Sequence, residues 1–333
     1  MPSPPITLAA ALRDATLADT RARDLAIRHL ADALLAELGP GPRWRAADRH
    51  PRGPEVLALL RRAEAGDPSP VIRAFATVGL GQLGDPEAIA PLTRALAGDG
   101  DDEASAFRRE CAAIGLAQLG AAARGHDDGA PLRHAIRHAL EHALASPRPE
   151  LRFQAAQSLV EVLGDAAEPA LADALTRETH PEVRQSLCEA LATIEHPQPA
   201  TCDALRRVLA STGASRATTL AAALALTAAG SADGADALIA ALADAEHRDR
   251  ALEGLAALGA LAPASALPPV RRLADAWLVP ATTRVRAAYA LARLAPAEGL
   301  PRLERLARSR RAAVREAVAD ARRALESLER RTS

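Results

Sequence analysis

The stretch GAPLRHAIRHALEHALAS, residues 129–146, sets His134, His138 and His142 four residues apart. On a helix that spacing stacks the imidazoles on one stripe, and neutral imidazole is a common metal ligand. An i, i+4 pair such as His134 and His138 can grip one ion. His134 and His142, about 12 Å apart along the helix axis, cannot share it. A site here would hold two histidines and need further ligands, since structural zinc takes four protein ligands and catalytic zinc three. The preceding loop, GHDDG at 125–129, offers His126, Asp127 and Asp128 as helpers. The helical wheel points the other way. Leu132, Ile136, Ala139, Leu140, Ala143 and Leu144 share one side, and His134 and His138 lie nearly opposite, beside Arg133, Arg137 and Glu141. The expectation is a solvated polar face, with His134 and His138 as weak metal candidates and no cofactor.

Other chemistry is sparse. The sequence contains no glycine-rich phosphate loop, no G-x-S-x-G elbow and no clustered cysteine pair, so a non-enzymatic role is expected. Cys111, Cys188 and Cys202 are far apart and lie in apolar helical patterns, as buried free thiols of a reducing cytoplasm would. The first residues lack a basic leader, and the longest uncharged runs are short or broken by proline, which predicts a soluble cytoplasmic chain with no membrane partner. The formal net charge of −1 provides no global pull toward nucleic acid. All 41 basic Lys+Arg positions are arginine and asparagine is absent, the mark of a GC-rich bacterial genome rather than of phosphate binding.

What must position these residues is a repeat. Hydrophobic residues make up 49% of the chain and aromatics 2%, so the core is built from Ala, Leu and Val and must be thin and reiterated. One phrase recurs: VIRAFATVGLGQLGD from Val71, FRRECAAIGLAQLG from Phe107, ELRFQAAQSLVEVLGD from Glu150, EVRQSLCEALATI from Glu182, HRDRALEGLAALG from His247 and TRVRAAYALARLAP from Thr283. A second helical phrase precedes most copies, and Asp85-Pro86 and His180-Pro181 read as turn-to-helix boundaries. Each unit is a helix hairpin, and about nine are expected.

The pattern resembles the HEAT family, most closely the bacterial HEAT-like repeats of the phycobilisome-lyase type, over nearly the whole chain. The resemblance implies an all-α solenoid, a right-handed superhelix, spanning 1–333. Insertion loops are expected at 40–54 and 120–130 and a capping helix at 309–331. It also implies that an arginine of each second helix ties to a neighbouring acid, the position held here by Arg28, Arg73, Arg109, Arg152, Arg184, Arg248, Arg284 and Arg315. Some HEAT proteins are iron hydroxylases with His-Glu dyads. This chain has only the reverse order, as in Glu141-His142, which argues against that activity.

Such repeats imply a concave groove lined by second helices. By register it would present Thr77, Glu110, Glu161, Glu189, Asp249 and Glu253, a polar and mildly acidic surface suited to a basic or helical protein segment. The insertion PGPRWRAADRHPRGP carries Arg43, Arg45, Arg49 and Arg52 around Trp44, the composition of an interface hot spot. The alternative is that Trp44 folds back over the first hairpin. The function expected is a protein–protein interaction scaffold, its partner unidentified, using the groove and the 40–54 loop. The alternatives are a bilin-lyase-like or chaperone-type protein handling a modified partner, and nucleic-acid binding through the arginine-rich segments, which the charge disfavours.

Overall fold

The computed structural model describes residues 6–98 and 100–332, and among these every regular element is a helix. The chain divides into two compact units, residues 1–170 and 171–333. Unit 1 contains α1 (Leu8–Asp14), α2 (Thr20–Leu38), α3 (Gly53–Gly66), α4 (Pro70–Gln82), α5 (Ile89–Leu96), α6 (Glu103–Ala122), α7 (Ala130–Ala143) and α8 (Pro149–Leu163). Next comes α9 (Glu168–Arg177), which begins at the boundary. Unit 2 continues with α10 (Pro181–Leu191), α11 (Pro199–Ala210), α12 (Arg216–Ala228), α13 (Ala235–Ala241), α14 (Arg248–Leu258), α15 (Leu267–Asp275), α16 (Ala281–Leu294), α17 (Pro296–Ala307) and α18 (Ala312–Thr332). Among the described residues the eighteen helices run as nine consecutive pairs, the arrangement of an α-solenoid.

Local chemistry sets the boundaries. Asp19, Ser69, Asp102 and Ser215 cap second helices by accepting the backbone N–H three residues on. Proline opens α4, α8, α10, α11 and α17, where its missing N–H would be unpaired anyway. Within unit 1 the second helices α2, α4, α6 and α8 pack in sequence, and within unit 2 so do α10, α12, α14, α16 and α18. Small residues let them approach closely. A Cβ on Gly81 of α4 would overlap the carbonyl of Gly115 on α6. Between the helices lie fully buried leucines, among them Leu30, Leu80 and Leu116, each of the kind whose truncation to Ala costs about 2–5 kcal/mol.

Several of the recurring arginines reach backbone carbonyls, which the acid-pairing expectation did not include. They close the preceding helix. Arg73 donates to the Asp67 carbonyl at 2.6 Å, Arg152 to that of Ser146 at 2.9 Å, Arg248 to that of Leu242 at 2.8 Å and Arg315 to that of Ser309 at 2.9 Å, each six residues upstream. The carbonyls at a helix end have no intrahelical donor and carry the negative end of its dipole, so a guanidinium there meets both needs. In the first hairpin the position belongs to Arg23, which donates to Leu17 and Ala18, and not to Arg28. Arg28 instead pairs with Asp24 at 3.0 Å and lies 4.0 Å over the Phe75 ring. Arg109 reaches the Gly98 carbonyl at 2.6 Å. Arg184 and Arg284 each bury an Nε with no hydrogen-bond partner among the described residues.

The insertion at 40–54 holds a 3-10 turn, Ala46–Arg49, and runs into α3. The one at 120–130 joins the end of α6 to a 3-10 turn, Asp127–Gly129. At the C-terminus, α18 packs on α16 and α17 through Val314 and Val318.

Candidate protein-binding surface

The two insertions meet in unit 1. Arg45 and Ala46 donate their backbone N–H groups to the carbonyls of Gly84 and Leu83, at 3.1 and 3.0 Å, seating the 40–54 loop on the end of α4. Gly84 has φ +63, and a Cβ there would overlap the Arg43 carbonyl, so the loop approaches as closely as glycine permits. Trp44 is 8% exposed and stacks on His126 of the second insertion, with ring centroids 5.6 Å apart. It is a pillar between loops rather than a displayed anchor, which corrects the reading of Trp44 as a contact residue. Arg45 spans the same seam to Asp128 at 3.6 Å.

Three of the four loop arginines are engaged locally: Arg45 as described, Arg49 with the Pro42 carbonyl, and Arg52 with Glu55 at 3.0 Å. Arg43 is exposed and unpaired among the described residues, as is Arg124 from the second insertion. Both line an open cleft of about 510 Å³ with Gln118, His126 and Glu161. The Gln118 Oε1 atom is buried without a hydrogen-bond partner among the described residues. Of the residues singled out from sequence, the structure therefore brings Arg43 and Glu161 into one cleft. Gln118, Arg124 and His126 were missed as its members; the second insertion was a sequence signal for Arg124 and His126, whereas Gln118 lies within α6.

The other expected groove acids behave differently. Glu110 is half-buried, and burial, then the Glu150 charge, raises its carboxyl above the ordinary range. In unit 2, Glu189 accepts from Arg250 at 3.1 Å, and Arg286 pairs with Asp249 and approaches Glu253 to 3.8 Å. The second-helix face of unit 2 is thus a ladder of ion pairs, not an acidic strip. Its neutralising arginines come from hairpins one or two repeats on. Thr77, expected in the groove, is buried and donates its hydroxyl to the Arg73 carbonyl.

His134 and His138 are exposed, their rings edge to face at 4.8 Å. Among the described residues no group of three His, Cys, Asp or Glu side chains is placed to hold a metal ion. Cys111 and Cys188 are free thiols pushed up to about 12 by burial, and so are poor nucleophiles at neutral pH. No helix is long and apolar enough to cross a membrane among the described residues. Trp277 is 81% exposed in the turn between α15 and α16.

A family model described as HEAT repeats matches residues 136–226 and, overlapping them, 168–259. Residues 136–259 are similar to HEAT repeats. Solved structures show the same fold well beyond that stretch. The Escherichia coli protein YibA aligns at TM-score 0.58 with 14% identity, over 87% of this chain and 92% of YibA. The karyopherin Kap121p, bound to the extreme C-terminus of the protein phosphatase Cdc14p, aligns at TM-score 0.56 with 13% identity. That match covers 94% of this chain but 37% of the karyopherin, so the chain spans little more than a third of its length. The CpcE–CpcF complex of phycocyanin lyase from Nostoc sp. PCC7120 aligns at 18% identity over 81% of this chain and 95% of that one, with a TM-score of 0.42, too loose to bear on function. No curated protein matches the chain in sequence.

Proposed function

We propose that the chain is a non-enzymatic scaffold that holds a partner protein on its HEAT repeats, anchored at the cleft between the two insertions of unit 1. One observation carries this reading: two exposed, unpaired guanidiniums, Arg43 and Arg124, stand on a frame locked by the Trp44–His126 stack. Loops that interrupt a repeat array while remaining rigidly seated are suited to recognition, because little order is lost on binding. The cleft asks for a segment that carries a carboxylate for the arginines. It also asks for an N–H donor to meet Glu161. A peptide strand with an acidic side chain supplies both.

The buried free thiols suit a reducing compartment such as a bacterial cytoplasm. The use has a parallel in the same fold, since Kap121p holds a terminal segment of another protein.

Purifying the protein from its native cells, with and without Arg43→Ala and Arg124→Ala together, tests the proposal. The expected result is a stoichiometric protein partner whose affinity falls about tenfold or more in the double variant, each lost charge-assisted bond costing about 1.5–3 kcal/mol. A partner held equally by the double variant, or nucleic acid in its place, overturns it.

A further inference from the structure

Within each unit the turn of one hairpin meets the next hairpin at a cleft, and in unit 1 these clefts contain an arginine of the chain itself. Between the first two hairpins Arg23 reaches Asp67 with two hydrogen bonds, Nε to Oδ2 at 3.0 Å and Nη2 to Oδ1 at 3.3 Å, and both side chains are largely buried. Between α6 and α7 a second such cleft holds Arg109. Arg23 is the fourth residue after the N-cap Asp19, as Arg73 is after Ser69.

In unit 2 the fourth residue after the N-cap Ser215 is Thr219, whose short side chain turns back to donate to the Ser215 carbonyl at 2.9 Å. The cleft beside it, between α12 and α13, measures about 350 Å³ and is walled by Leu220, Ala237, Ala240 and Ala241. The anion remains in place. Asp244 accepts the Glu246 N–H at 3.0 Å, as Asp67 accepts that of Ser69 at 2.9 Å, so the two turns present their carboxylates alike. A hydrogen bond from His247 at 2.9 Å holds the Asp244 carboxyl below its usual range, ionised at neutral pH. Arg216 comes within 3.7 Å of Asp244, but its side chain is 88% exposed and rims the cleft without filling it.

We propose that this cleft is a slot for an arginine side chain of a partner protein, which lays its propyl stem on the alanine wall and pairs its guanidinium with Asp244. The stem-plus-fork geometry suits arginine, whereas a lysine ammonium is a strongly hydrated point charge with no planar fork. A carboxylate has about four lone-pair sites, and the bonds from Glu246 and His247 leave one on each oxygen. The source of the arginine rests on the scaffold reading; the slot does not, and it is tested without any partner.

The probe is Nα-acetyl-arginine amide, titrated into the full chain with 13C-labelled alanine methyl groups. Saturable shifts at Ala237, Ala240 and Ala241 are expected, about tenfold stronger in affinity than with Nα-acetyl-lysine amide. Thr219→Arg restores the repeat, so it should raise the thermal midpoint and abolish the shifts. Asp244→Asn preserves the turn geometry and should erase the preference for arginine, which decides the matter should Thr219→Arg fail to fold. No saturable shift, equal response to lysine, or unchanged binding in Thr219→Arg or in Asp244→Asn overturns the slot. Tighter binding of free arginine than of the blocked amide would assign it to a metabolite and overturn the partner. Loss of the slot with the Arg43 and Arg124 result intact would leave the scaffold reading standing.

Discussion

Glu110 illustrates how a side chain chosen as a contact can instead be a structural liability. Burial raises its carboxyl in the folded chain, with Glu150 adding to the effect, so the folded state holds its proton to higher pH than the unfolded state does. Below the unfolded value, about pH 4.3, both states are protonated and the residue is neutral to stability. As pH rises through that value the unfolded chain ionises first, and the penalty is complete above the folded value. Glu110→Gln should therefore raise the thermal midpoint at pH 7 and leave it nearly unchanged at pH 4, which a melting series across that range would check. An unchanged midpoint at pH 7 would instead mark Glu110 as a solvated acid. The second-helix register places Glu110 on the correct face but is silent on depth. The same holds for Glu189 and Asp249, whose partners Arg250 and Arg286 are 61 and 37 residues distant and meet them only once the hairpins stack.

At the level of the helices, most of the architecture was readable. Proline at first turns, Ser and Asp caps and the Leu/Ala periodicity sufficed to place nine hairpins, because each signal acts within a few residues of where it is written. The arginine position was readable but its partner was not. A guanidinium adjacent to helix-end carbonyls leaves no mark in the acid pattern, and the first-hairpin register slipped from Arg23 to Arg28 for that reason. If the arginine closes the first helix, Arg152→Ala should destabilise the chain by about 1.5–3 kcal/mol, since it leaves helix-end carbonyls without their charged donor. Arg152→Lys, a single ammonium without the fork, should recover part of that loss. Urea unfolding of both variants measures it. Equal stability of Arg152→Ala and the parent would show that water serves those carbonyls as well.

Across the whole molecule, repeats that touch mainly their neighbours make stability a sum of local interfaces and leave the exposed second-helix faces available for binding. The chain departs from that regularity at the two insertions, where Trp44 and His126 lock a seam beside Arg43 and Arg124. Neither loop predicts the other in sequence, because their meeting depends on how α4 and α6 pack, and so half of the cleft was invisible until the fold was known. A photocrosslinking residue placed at Ala121, which lines that cleft, provides the most direct test, with one at His134 on the exposed histidine stripe as the control. The account predicts a discrete crosslinked protein from position 121 in native cells and none from position 134. Crosslinks of equal yield from both positions, or none from 121, would contradict it.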